Sequence, residues 1–292
     1  LEVSYLIHTR TLKCDFNPKF MVRPQEWSEN NINWARKNVL LATYSIDNLI
    51  EERWLIASDQ TYTIIGLVDF IGNIVEKCIF IDKSITEKFK QDEVGRRTYT
   101  FIGIVLKDAA FINISNINYD YLMKLFIKYL DNIWDNMQNE TIKVEFEKKD
   151  LLQHRLEEEF PDNGFEYNQN LILYEDTYSC KLIKYYSNNL QKNTTVCTNL
   201  NSLSKIKTFR NSSNIKYILS TTNNNIRRLK NEFEQLKMNE NISTGEAIVI
   251  NENTSEEKHL DKEKKHLAIL GMTIGGIASV VTLVLQILMT IN

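Results

Sequence analysis

The sequence predicts an α+β protein: an N-terminal antiparallel β-sheet with a covering helix, a small parallel α/β unit, and a C-terminal transmembrane helix. Three observations predict it. Residues 53–107 hold apolar, β-branched runs parted by short polar or glycine-containing breaks, residues 171–222 alternate short apolar runs with helical patterns, and residues 267–291 carry no charged side chain. The first pattern is that of an antiparallel meander, the second that of βαβ units, and the third is long enough for a bilayer span.

In the β-rich domain expected over 1–138, strands are predicted at 53–59 (RWLIASD), 62–70 (YTIIGLVDF), 74–82 (IVEKCIFID) and 98–107 (TYTFIGIVLK), with a further one at 3–7 (VSYLI). A short helix is expected at 38–52. A longer amphipathic helix is expected at 119–137, where Leu122, Leu125, Phe126, Tyr129, Leu130, Ile133, Trp134 and Met137 recur at helical spacing. The highly charged connector 139–165, ending near Pro161 and Gly164, reads as a solvated helix and a domain boundary.

The α/β unit, 166–239, is predicted to run LILYE (171–175), helix (180–190), TTVCT (194–198), helix (202–209), IKYILS (215–220), then a helix from Thr222. Parallel sheets bind ligands beyond the carboxyl ends of their strands. That rule selects Thr198, Asn199 and Thr221, residues that also serve as ordinary helix caps. Thr222, Ile226, Leu229, Phe233 and Leu236 form a stripe about two heptads long, either a coiled-coil seam or the buried face of one packed helix. A polar tether, 240–265, follows.

In the transmembrane helix predicted over 266–291, the apolar stretch LAILGMTIGGIASVVTLVLQILMTI (267–291) would make a helix of about 37 Å against a hydrocarbon core of about 30 Å. It is expected as a single-pass tail anchor. Lys258, Lys262, Lys264 and Lys265 precede it, so the positive-inside tendency leaves the rest of the chain cytoplasmic, most naturally at a bacterial inner membrane. No apolar h-region opens the sequence, which argues against a secreted, glycolipid-anchored protein. Gly271, Gly275 and Ser279 recur every four residues, flanked by Ala268 and Thr282, and Gln286 is the strongly polar side chain at depth. Such a face lets helices approach closely, so a homo-oligomer in the bilayer is expected; ordinary membrane-helix composition is the alternative.

A net charge of −3 over 292 residues argues against nucleic acid as the main partner. Cys14, Cys78, Cys180 and Cys197 are widely spaced, so neither a metal site nor a disulfide framework is expected. Glycine-rich phosphate loops, GxSxG and HExxH are absent from the sequence, so no cofactor is expected and a binding role is favoured over catalysis. Two basic groups are candidate anion ligands: Arg96 and Arg97 in DEVGRR, where a turn needing Gly95 is the simpler account, and Arg227 and Arg228 near the start of the last helix.

In layout, the run 171–238 and the tail 267–291 resemble the single-pass membrane effectors of bacterial antiviral defence. There a cytosolic nucleotide-sensing domain is joined to transmembrane helices that oligomerise and permeabilise the inner membrane. The resemblance implies a cytoplasmic sensor of a small anionic, nucleotide-like ligand that drives self-association of the anchor. The alternative is a tail-anchored scaffold that recruits a protein partner to a membrane.

Overall fold

In the computed structural model, which describes residues 1–16, 19–49, 51–135, 140–149, 159–161, 163–204 and 214–243, the strands hydrogen-bond into one eleven-stranded sheet. The elements in chain order are β1 (Glu2–Thr9), β2 (Val22–Pro24), α1 (Glu29–Thr43), β3 (Arg53–Ser58), β4 (Tyr62–Phe70), α2 (Ile71–Lys77), α3 (Lys83–Thr86) and β5 (Tyr99–Lys107). After these come α4 (Tyr119–Leu130), β6 (Ile142–Val144), β7 (Glu147–Lys148), β8 (Phe165–Asn168), β9 (Leu171–Glu175), α5 (Ser179–Asn188), β10 (Thr194–Leu200), β11 (Lys216–Thr221) and α6 (Asn223–Ser243). Contacts group Leu1–Leu236 as one compact unit and Lys237–Asn292 as another, and the sheet belongs to the first.

The strand order is β6-β2-β1-β5-β4-β3-β10-β11-β9-β8, with β7 also paired to β1. From β1 through β3 the central pairs are antiparallel, whereas β10, β11 and β9 run parallel to one another. β10 joins the two halves by pairing antiparallel with β3, from Thr194↔Ser58 to Cys197↔Leu55. The connector 139–165 therefore does not divide the sheet, and the parallel strands extend the antiparallel ones.

Both faces of the sheet are covered, which explains why its strands read as continuous apolar runs instead of alternating ones. On one face Val3, Tyr5, Ile65, Leu67, Ile102, Ile104, Val196 and Ile218 pack with α2, α4 and α5 through Ile71, Leu122, Phe126 and Leu182. On the other Leu6, Ile64, Val68, Phe101, Val105, Cys197 and Leu219 pack with α1 and α6 through Ile32, Val39, Ile226 and Leu229. Gly66 and Gly103 face each other across β4 and β5, and a Cβ on Gly66 would meet the Ile102 carbonyl oxygen and the Phe101 ring at 2.6 Å. These two glycines make room for the Phe101 ring.

The structure corrects several expected elements. The run 74–82 is not a strand. Ile71, Ile74, Val75 and Cys78 fall at helical spacing and are buried, so the chain turns into α2, and Ile79 and Phe80 are left in solvent. The helix expected at 38–52 lies earlier, at Glu29–Thr43, started by a reciprocal capping box between Ser28 and Asn31. The helix of 119–137 stops at Leu130, although Trp134 is still buried against Phe89 and Phe126. Within the charged connector, Ile142–Val144 and Glu147–Lys148 are edge strands where a solvated helix was expected.

In the predicted coiled-coil stripe, Ile226 and Leu229 bury against the sheet and Phe233 packs on Tyr167, so this is the inner face of one packed helix. The helix expected at 202–209 lies mostly outside the described residues. Among the described residues no helix is long and apolar enough to cross a membrane. The segment 266–291, with Ala268, Gly271, Gly275, Ser279, Thr282 and Gln286, lies outside them.

His8 of β1 is 6% exposed, its ring stacked on Phe16 at 5.0 Å, and its Nδ1 has no hydrogen-bond partner. Burial, helped by the Arg36 charge, pushes its pKa down to about 4. Because the folded value lies below the usual 6.5, the unfolded chain takes up the proton first. The neutral-ring contribution to stability is therefore present above 6.5 and is lost as pH falls towards 4. His8→Phe is expected to remove about 2.5 kcal/mol of the stability loss between about pH 7.5 and about pH 4.5, read as urea unfolding free energies at the two pH values.

Candidate functional site

The polar strand ends meet at one end of the sheet, where β10, β11 and β9 finish and β3 begins. Between Cys197 and Leu200 the β10–β11 register shifts, so β10 bulges, and Asn199 takes the left-handed conformation at φ 54°. A bulge of this kind re-aims a side chain. The Asn199 amide N–H donates to Ser220 Oγ at 2.9 Å, and its Nδ2 donates to the Glu52 carbonyl at 2.8 Å. Ser179 Oγ, at the start of α5, lies 2.6 Å from Asn199 Oδ1 and 2.7 Å from Ser220 Oγ. These distances fix the proton order: Ser220 donates to Ser179, and Ser179 donates to Asn199.

Beneath this ring lies Arg53, fully buried. Its Nε donates to the Asn199 carbonyl at 3.1 Å, Nη1 to the Ala42 and Tyr44 carbonyls at 2.9 and 2.5 Å, and Nη2 to Asn201 Oδ1 at 2.8 Å. Burial lowers its pKa from an ordinary value of 12.5, and the guanidinium stays charged at neutral pH. The Ala42 carbonyl, in the last turn of α1, supplies negative helix-end dipole in place of a carboxylate.

Beside Arg53, the Glu52 carboxylate accepts the Tyr119 hydroxyl at 2.6 Å and pairs with Lys77. Burial alone would raise its pKa, but the Lys77 and Tyr119 hydrogen bonds outweigh that and hold it below the usual range. Lys77 also lies 3.9 Å from Asp69, a buried carboxylate whose pKa desolvation raises. Asp69 accepts from Asn73 at 2.7 Å, and Asn73 in turn accepts from Arg97 at 3.0 Å.

These groups frame a cleft of about 320 Å³. Trp54, Ile114 and Tyr119, the α5 residues Ser179, Cys180, Ile183 and Lys184, and Glu51, Glu52, Thr198 and Asn199 line it. A smaller recess of about 70 Å³ shares Glu51 and Asn199 and adds Asp176. Across both recesses the lining charges are Glu51, Glu52 and Asp176 against Lys184. Such a surface favours a cationic or hydrogen-bond-donating ligand with an apolar body over a phosphate. The Ser179 hydroxyl is held between Asn199 and Ser220. None of their His, Cys, Asp and Glu side chains cluster in threes able to hold a metal ion.

Of the residues selected from sequence, Thr198 and Asn199 line the cleft. Thr221 is buried, its hydroxyl on the Leu200 carbonyl. Arg96 is bound to Asp92 at 2.7 Å, and Asp92 is held down to about 2, burial opposing but outweighed by the Arg96 amide and the Arg10 and Arg96 guanidinium groups. Arg97 stacks on Phe70 at 3.9 Å. With Gly95 at φ 80°, this segment is a locked turn. Arg227 and Arg228 stand exposed on α6, Arg228 facing Glu232 at 3.9 Å, and neither lines the two recesses described above. Sequence reading missed Glu51, Glu52, Trp54 and Ser179. The available signal was Arg53 and Asp69, charged residues bounding strands otherwise made of apolar and small residues.

Asn199→Ala should lower unfolding stability by about 2–3 kcal/mol, since alanine is strained at positive φ and the Ser179, Ser220 and Glu52 bonds lose their common partner. Ser179→Ala removes one hydroxyl and should cost about 1 kcal/mol. Urea titrations of both variants check the order, and equal effects would deny Asn199 its central place.

No protein-family model matches this chain, and no curated protein matches it in sequence.

Proposed function

We propose that this chain is a membrane-anchored receptor: a sheet domain that recognises a small ligand in the strand-end cleft, and an apolar segment at 267–291 that holds it on a bilayer and self-associates. The observation that carries membrane attachment is the uncharged run of 25 residues, long enough to span and preceded by Lys258, Lys262, Lys264 and Lys265. Gly271, Gly275 and Ser279 supply the close-packing face. Ligand-controlled association of these helices would perturb or permeabilise the membrane, in keeping with the antiviral effectors the layout resembles. The acidic lining redirects the ligand class. In place of an anionic nucleotide we assign a ligand with a flat apolar body, to lie against Trp54, and an ammonium or N–H donor end for Glu51, since Glu52 is already engaged by Lys77 and Tyr119.

Full-length protein mixed with liposomes is expected to float with them, and ligand-bound protein to release trapped dye. Gly275→Leu should float equally well and release dye at least about tenfold more slowly, because the bulky side chain separates the helices. Release undiminished by Gly275→Leu removes the effector reading and leaves a tether, whereas failure to float removes membrane attachment itself. For the ligand class, tryptamine at millimolar concentration should raise Tm of the wild type and not of Glu51→Gln, while ATP should leave Tm unchanged. Stabilisation by ATP instead would overturn the cationic assignment.

A further inference from the structure

The loop between α2 and α3 presents the two most exposed large apolar side chains among the described residues, Ile79 at 79% and Phe80 at 78%. Their backbone is nonetheless fixed. The Asp120 carboxylate, buried in the first turn of α4, accepts the amide N–H of Ile79 at 3.0 Å and that of Phe80 at 2.7 Å. Cys78 before them is buried, with Sγ on the Ile74 carbonyl, and Asp82 after them caps α3 through Ser84. The loop is thus pinned from beneath while both side chains point away from the domain.

We propose that this loop is a lipid-docking finger, in which Ile79 and Phe80 enter the interfacial layer of the bilayer that anchors the chain. The inference rests on the membrane reading given above. Two observations select lipid over protein as the occupant. Ile79 and Phe80, even with Ile85 of α3 at 51% exposed, fall far short of the roughly 1,200 Å² that a stable protein interface buries, whereas a bilayer needs no matching pocket. Exposed Lys83 and Lys124 flank the finger, close enough to Cys78 and Asp120 to act on them electrostatically, and their amines suit headgroup phosphates. Of the acidic neighbours Glu76 and Asp82, Asp82 is already engaged with Ser84.

Chain length permits the contact. Residues 244–266 separate α6 from the apolar segment and can span at most about 80 Å, so the domain is held where even weak partition is effective. Because Asp120 already orders the loop, insertion loses little conformational freedom.

The test uses full-length Phe80→Trp in phosphatidylcholine/phosphatidylglycerol liposomes with ordinary or brominated acyl chains, with flotation run in parallel. The four native tryptophans give a background that the wild type subtracts. The excess emission is expected to be quenched at least about twofold by bromine. Unquenched emission from protein that floats overturns the finger and leaves membrane attachment standing. Emission that is blue-shifted but unquenched assigns the loop to a protein contact and equally overturns it. Protein that does not float overturns both readings.

Discussion

The joint between the two halves of the sheet depends on the buried guanidinium of Arg53. A charge removed from water at this depth is costly unless it is hydrogen-bonded. Arg53 uses four of its five N–H donors, on acceptors from three separate parts of the chain: the end of α1, the bulged end of β10, and Asn201. Its position at the start of β3 therefore constrains where α1 stops and how β10 ends. The bulge at Asn199 follows, since the Asn199 carbonyl reaches Arg53 while its side chain turns to Ser179 and Glu52. The arrangement that closes the core also opens the cleft.

Much of the sheet was legible in the sequence because burial on both faces writes strands as unbroken β-branched runs. Residues 62–70 and 171–175 were read to the residue, and 53–58, 99–107, 194–200 and 216–221 to within two. The same signal misled at 74–82, where Ile74, Val75 and Cys78 are helical neighbours and Ile79 and Phe80 are simply exposed. Composition cannot separate those cases, since both supply apolar residues at similar density. α1 was displaced because its first turns, ENNINWARK, are mostly polar and bury only Ile32 and Ala35, too few apolar residues to mark a helix by spacing.

The cleft was half legible for a topological reason. The rule that ligands meet parallel strands at their carboxyl ends led to Thr198 and Asn199 without any contact being known. The facing wall comes from Glu52 and Trp54, more than a hundred residues earlier, and their arrival depends on the β3–β10 pairing. No local pattern encodes a register between segments so distant. Arg96 and Arg97 are each engaged, with Asp92 and Asn73, which a count of positive charge does not reveal.

The cleft walls belong to different layers of the hydrogen-bond network. Glu52, Lys77, Tyr119 and Asp69 tie β3 and β4 to α2 and α4, while Ser179 and Ser220 tie α5 to β11. Asn199 touches both sets through Glu52 on one side and Ser179 on the other. A ligand lying between Trp54 and Ile183 would span the same gap and add its contacts to that bridge. Ligand binding and stability of the α5 side are then coupled reciprocally, since whatever tightens the walls raises affinity, and whatever binds tightens the walls. For the proposed receptor, this places the first mechanical consequence of recognition on α5 and β11, the strand that runs directly into α6.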